Sequence, residues 1–344
     1  MKAILFDTFG DEGVLRLGEA PKPELRPDDL LVRVAATGVN RADLLQRTGA
    51  YGRPNFGDSD VMGLEIAGTV VEVGERVEGF AHGDRVMGIV GGGAYAEFAR
   101  IDHRSAVRIP DHVSFVDAAA IMESFVTACE AVTHLADVKP GQSILVHAAA
   151  GGVGSACVQL ASALGATVYA TASTALVDRV KTIGAAHVVD YRHGDFDADI
   201  LALTGGAGVD AVIDFIGGDY LARNLRLLKP GGVLVQVGLM SGQAETTMPL
   251  NLVLHNHLRI IGTVMKSRTA QEKRAMTTRF VERVLPLFAA SRLHPLISAT
   301  YQLADAAQAH RRMKEGGGFG KIVLIVDPSV VSNPPSPYQS ETTP

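Results

Sequence analysis

The chain has 344 residues, with 32 basic and 37 acidic side chains, a net charge of −5 and two cysteines. That length suits two domains and buries a core without help from disulfides or metal. Mildly acidic, mixed charge argues against nucleic-acid or anionic-membrane binding, two thiols cannot build a disulfide framework or a four-cysteine zinc site, and no apolar run is long enough to span a bilayer.

The two thiols fit a reducing, cytoplasmic setting. Residues 2–6 read as a first strand, because the opening MKAILFDTFG lacks the length and cleavage pattern of a signal peptide. Short β-type runs follow at 30–35, 65–73, 85–89 and 94–101, separated by turn signals such as Pro27-Asp28-Asp29, Gly83-Asp84 and Gly91-Gly92-Gly93. One helix interrupts them. Asn40 is its expected N-cap, and Thr48-Gly49 its end. The pattern up to about residue 122 is that of a small, irregular β-rich domain.

From 123 to 265 the pattern changes to apolar strands alternating with helices. Strands are expected at 143–148, 167–171, 187–190, 211–215, 233–237 and 258–264, with helices at 152–164 and 176–183. Strands joined by helices run parallel, so this portion reads as a doubly wound, six-stranded sheet. Helices are expected at 277–290 and 305–314, then a strand at 320–326 able to pair with the N-terminal domain. The expected division is therefore 1–122 plus 266–326, 123–265, and a disordered tail at 327–344, where Asn333-Pro334-Pro335-Ser336-Pro337 begins a polar end.

The strongest motif is HAAAGGVGSACVQLASALGA at 147–166. Gly152-x-Gly154-x-x-Cys157 is a dinucleotide fingerprint in its required setting, after a strand and opening a helix. Bare backbone at Gly151, Gly152, Val153 and Gly154 lets a pyrophosphate approach the free N–H groups of the helix N-terminus. An NAD site usually carries an acid at the end of the second strand, whereas here stand Ala172-Ser173-Thr174. Ser173 can donate to a 2′-phosphate, and Tyr191 and Arg192 after the third strand add a hydroxyl and a positive charge. NADPH is the expected cofactor, with NADH as the weaker alternative. The two cysteines, Cys129 and Cys157, read as core thiols among apolar neighbours.

Collinear stretches now suggest a family: AATGVNRADLLQRTGAY at 35–51, GLEIAG at 63–68, AAAIMESFVTA at 118–128, DFIGG at 214–218, GLM at 238–240 and GKIVL at 320–324. The chain resembles the medium-chain dehydrogenase/reductase superfamily. Within it, the chain is similar to zinc-free quinone oxidoreductases of the zeta-crystallin type, above all the inducible branch. The resemblance implies an α/β fold, with a GroES-like β-rich catalytic domain beside a Rossmann domain. It also implies zinc-independent reduction of quinones by NADPH in a homodimer, the 258–264 strand sitting at the sheet edge against its twofold mate.

Zinc enzymes of the superfamily hold their metal through Cys and His. Where they have the first Cys, this chain has Asn40; where they have Gly-His-Glu, it has Gly63-Leu64-Glu65. No metal is expected, and His255-x-His257 reads as an ordinary loop. The resemblance places Asn40 and Tyr51 beside the nicotinamide, facing the acceptor, with Arg268 a further acceptor contact. Thr127, Gly238, Leu239 and Met240 would line the nicotinamide pocket, and Phe319, Gly320 and Lys321 would close over the cofactor. Leu45 stands where some members carry a second Tyr. Two alternatives accompany this reading. One is a 2-alkenal or enoyl reductase on the same fold; the other is an NADPH-binding RNA-binding or crystallin-like structural protein, against which the charge argues.

Overall fold

A computed structural model describes residues 1–50 and 59–329. The chain divides into two compact units, Met1–Ser124 with Thr269–Val281 and His294 onward, and Phe125–Arg268 with Glu282–Leu293. Tyr51 and most of the polar tail lie outside the described residues.

In the first unit, strand Asp29–Val39 is the spine of a seven-stranded sheet. It is flanked by Glu65–Val73, Phe98–Asp102 and, antiparallel, by Lys321–Ile325, with Ile322 opposite Val39. The expected C-terminal strand thus does join the N-terminal sheet. It is buried along its whole length and itself pairs in parallel with Ile297–Gln302. The run expected as a strand from 94 is shorter. Gly92 and Gly93 adopt φ of +104° and +91°, and residues before Phe98 make only an isolated bridge, Ala3 to Ala96. The core of this unit gathers Ile4, Phe6, Val39, Met62 and Leu324 around a fully buried Tyr95.

The second unit is a parallel six-stranded sheet. Its strands, in spatial order, are His187–Asp190, Thr167–Ala172, Ser143–Val146, Val209–Asp214, Leu228–Gln236 and Arg259–Gly262. In chain order that is 3-2-1-4-5-6, the Rossmann arrangement. Alternation of strand with helix is what forces parallel pairing, and near-continuous Val, Ile, Leu and Ala runs fill both faces.

Residues 282–293, which the sequence reading keeps with 266–326, cluster instead with this second unit. The ring of Phe288 packs edge-on against Phe125 at 4.7 Å, and Arg283 donates to the Thr133 carbonyl at 3.1 Å. Sequence periodicity reports that these helices exist; it does not report which core they join.

Candidate active site

Three strand ends meet in the first unit. Strand Asp29–Val39 ends at Asn40, whose extended backbone (φ −122°, ψ 151°) caps helix Arg41–Arg47. Strand Glu65–Val73 begins at Glu65, and strand Lys321–Ile325 begins at Lys321. All three residues are buried, Glu65 completely. The Lys321 ammonium donates to Asn40 Oδ1 and to Glu65 Oε1, both at 2.5 Å. Asn40 Nδ2 donates to Glu65 Oε1 at 2.8 Å, and its remaining contact, the Gly38 carbonyl at 3.4 Å, is longer than an ordinary hydrogen bond. Lysine can only donate and an ionised carboxylate only accept, so the chemistry of the partners assigns the amide orientation.

Two glycines make the meeting possible. A β-carbon on Gly38 would lie 2.2 Å from Glu65 Oε1 and 2.5 Å from the Ala119 carbonyl. One on Gly320, at φ +98°, would lie 2.2 Å from the Leu296 carbonyl. Glu65 is held further by the Glu123 N–H, 3.0 Å from Oε2.

Behind this cluster lies a second one. The Asn40 N–H donates to Asp43 at 2.7 Å, the return half of a capping box. The Tyr95 hydroxyl donates to the same carboxylate oxygen at 3.0 Å and meets His310 Nε2 at 3.2 Å. Burial raises Asp43 to about 7, Glu123 to about 8 and Tyr95 well above its ordinary range. Burial lowers His310 to about 3, keeping it neutral. Burial, reinforced by the nearby Glu65 carboxylate, thus keeps protons on Asp43 and Glu123 near neutral pH despite the Lys321 ammonium.

In the second unit, His147 to Gly151 form the turn between strand Ser143–Val146 and helix Gly152–Ala163. A β-carbon on Gly154 would sit 2.2 Å from the Ala148 carbonyl, and one on Gly151 would meet nothing closer than that carbonyl at 3.4 Å. The first glycine is needed for the turn itself; the second leaves open backbone at the helix N-cap. Gly152 and Val153 form the first helical positions, whose N–H groups lack intrahelical acceptors. This cradle suits a diphosphate.

A buried relay braces it. His147 Nδ1 lies 3.0 Å from Thr171 Oγ1, and His147 Nε2 lies 2.8 Å from Asn224 Oδ1. Asn224 Nδ2 donates to Asp214 Oδ2 at 3.1 Å, and Asp214 Oδ1 accepts from the N–H groups of Ile216 and Gly217. Because Asn224 donates to a carboxylate, its oxygen must accept. That assigns the proton of a neutral His147 to Nε2, and burial pushes its pKa down.

The other expected contacts fall as follows. Ser173 follows strand Thr167–Ala172, and the Tyr191 N–H donates to the Ala172 carbonyl at 3.2 Å, so Ser173 and Tyr191 are brought together. The Arg192 N–H donates to Asp190 Oδ1. Asp190 lies opposite Ala172 in register, and a Thr174 hydrogen bond holds its carboxyl below the usual range. Gly238 accepts from Gln236 Nε2 at 2.7 Å, while Leu239 and Met240 are half exposed. Thr127 lies in helix Met122–Cys129, Arg268 donates to Thr263 Oγ1 at 3.2 Å, and Phe319 is buried. The Asn40 NH₂ holds Glu65, and the Lys321 ammonium is turned onto Asn40 and Glu65. Cys129 and Cys157 are buried, and burial pushes the Cys157 thiol up.

Asp43, Tyr95, Glu123 and His310 were missed from the sequence, as were Asn224 and Asp214 acting together. Only Asp43 left a signal, the Asn-x-x-Asp spacing of a capping box. Among the described residues, no group of three or more His, Cys, Asp or Glu is arranged to hold a metal ion. No helix among them is long and apolar enough to cross a membrane.

Two family patterns match the chain: Zinc-binding dehydrogenase over residues 152–282 and Alcohol dehydrogenase GroES-like domain over 26–111. Mouse synaptic vesicle membrane protein VAT-1 homolog-like is 31% identical over 344 residues, covering 95% of this chain and 82% of that protein. The spectinabilin polyketide synthase system protein NorB of Streptomyces orinoci is 36% identical over 321 residues, 90% of this chain; the match spans only 14% of NorB. Among solved structures, Escherichia coli quinone oxidoreductase complexed with NADPH superposes with a TM-score of 0.86 at 29% identity, over 95% of this chain and all of that one. An NAD-dependent alcohol dehydrogenase superposes with a TM-score of 0.86 at 32% identity, also over 95% and 100%.

Proposed function

Because the chain belongs to the medium-chain dehydrogenase/reductase superfamily of oxidoreductases and carries its nicotinamide-nucleotide fold, we propose that it is a zinc-independent NADPH:quinone oxidoreductase. One observation carries the reading. Asn40, which the resemblance sets where zinc members carry a Cys ligand, is an amide bound to a lysine and a glutamate. A site with a hydrogen-bond donor in that place suits an acceptor that is already electrophilic.

Bound NADPH supplies a hydride from nicotinamide C4. The protein orients the reactants and holds the charge that develops on the acceptor. The cradle Gly151, Gly152, Val153 and Gly154 binds the diphosphate, and Ser173, Tyr191 and Arg192 receive the 2′-phosphate. Thr127, Gly238, Leu239 and Met240 border the nicotinamide, with Phe319, Gly320 and the Lys321 backbone beside it. Asn40 offers its weakly used N–H to the acceptor oxygen, and Tyr51 and Arg268 complete the acceptor contacts. NADPH is favoured over NADH by a serine where a ribose-binding acid usually stands, and by the likeness to a structure complexed with NADPH.

The reading extends to a homodimer and a cytoplasmic location. Arg259–Gly262 is the edge strand of its sheet, with Ile260 and Val264 exposed, and a twofold mate would cover it. A monomer in sedimentation would remove that part. A second reading, reduction of a C=C bond conjugated with a carbonyl, is favoured by the similarity to NorB, a part of a polyketide synthase system.

The test is direct. Calorimetry should show NADPH binding more tightly than NADH, and NADPH absorbance should fall faster with an ortho-quinone than with a 2-alkenal. The reverse acceptor order would promote the second reading, and failure to bind either nucleotide would end both. Asn40→Ala is expected to lower kcat/KM for the quinone about 100-fold with NADPH affinity retained.

A further inference from the structure

We propose that Lys321 and Glu65 are a positioning pair for the reduction: they hold the Asn40 amide in the one orientation that leaves an N–H to meet negative charge on the acceptor oxygen. The inference rests on the role proposed for Asn40.

Three facts carry it. First, the contacts are complementary. Lys321 approaches Asn40 Oδ1 and Glu65 Oε1, while Asn40 Nδ2 approaches that same Glu65 oxygen at 2.8 Å. A flipped amide would set its NH₂ against an ammonium and its oxygen against a carboxylate, so both contacts would turn repulsive. Second, the pair is buried to 0% exposure for Glu65 and 5% for Lys321, where water neither screens the charges nor substitutes for a lost partner. Third, the backbone is shaped for it. Gly38 lacks the β-carbon that would strike Glu65, and Gly320 takes the φ of +98° that turns the chain into Lys321.

The ammonium does more than fix a rotamer. A charged hydrogen bond to the amide oxygen draws electron density from the amide nitrogen and strengthens its remaining N–H as a donor. The other ionisable groups facing the pair are Asp43 behind Asn40 and Glu123, whose backbone N–H meets Glu65 Oε2. Burial raises both carboxyls, Asp43 to about 7 and Glu123 to about 8, so near neutral pH they hold protons and leave Glu65 as the carboxylate that meets Lys321 directly.

The test is a double-mutant cycle on the full chain, with kcat and KM read for an ortho-quinone at saturating NADPH and nucleotide affinity by fluorescence titration. Lys321→Met is expected to lower kcat at least about tenfold, within the range seen for weakened transition-state donors. NADPH affinity should change less than about twofold, and Lys321→Arg should recover part of the rate. In the Asn40→Ala background, Lys321→Met should change kcat by less than about twofold, because its effect is routed through the amide. Wild-type kcat in Lys321→Met, or the full loss repeated without Asn40, overturns the proposal while leaving the Asn40 reading intact. Wild-type turnover in Asn40→Ala alone would sink both. If Lys321→Met does not fold, Glu65→Gln with Lys321→Met removes both charges together. It should show the same loss of kcat, and unchanged kcat there overturns the pair.

Discussion

Each unit buries polar groups where its strands end, and the two do it with different chemistry. The first joins formal charges: Lys321 against Glu65, with Asp43 and Glu123 close behind. The second threads one carboxylate, Asp214, through the neutral groups Asn224, His147 and Thr171, and completes it with backbone N–H groups. The difference teaches what each is built to withstand. A neutral relay tolerates small movements because each bond is modest, whereas a buried ion pair holds its members rigidly and fails badly when one is lost.

The largest expected effect is in the first unit. Lys321→Met leaves Glu65 buried without its cation and should destabilise the protein by about 3–5 kcal/mol in chemical denaturation. Adding Glu65→Gln should restore much of that. A loss below about 1 kcal/mol would mean the charged and neutral clusters do not differ as argued. Next comes Asn224→Leu, which strips one partner each from His147 and Asp214 and should cost about 2–3 kcal/mol. A loss as large as that of Lys321→Met would erase the contrast.

Gly154→Ala probes the cradle rather than the relay. Its new methyl group would strike the Ala148 carbonyl, 2.2 Å away, so the turn must open. NADPH affinity should fall about tenfold, or about 1.4 kcal/mol, in calorimetry. Unchanged affinity would show that the cradle adapts.

The smallest effect concerns pH. Burial raises Asp43 from 3.8 to about 7 and Glu123 from 4.5 to about 8 in the folded protein. The folded state therefore holds protons that the unfolded state releases above about pH 4–5. Their contribution to stability is full below that range, is lost as pH rises through the folded values, and is flat beyond them. Thermal melts of Asp43→Asn and Glu123→Gln should flatten the decline between pH 5 and 8 relative to wild type. No equivalent decline is expected from the neutral relay, so a mutant profile parallel to wild type would break the comparison.

The second unit was the more legible in sequence. Its order follows from strand–helix alternation, and the fingerprint marks its cradle because both signals are local along the chain. Within the relay, His147 and Thr171 are 24 residues apart, and His147 and Asn224 are 77 apart. No local pattern links them. Legibility is lower in the first unit for the same reason. Asn40 stood out from the resemblance, but its partner Lys321 is 281 residues away, and only strand register brings the two together. Tyr95 and His310 are 215 residues apart, and only packing places one against the other.

The strand Lys321–Ile325 has a consequence for how the chain is made. Val39 and Ile322 lie opposite each other in the sheet, so about 280 residues must leave the ribosome between the two halves of that pairing. At about 5–20 residues per second, the wait is roughly 15–60 s. Throughout it, the nascent N-terminal segment presents an open hydrogen-bonding edge, while the later nucleotide-binding portion can close on local contacts alone. That pairing, and with it the lysine that holds Asn40, therefore waits until the nucleotide-binding portion has been made.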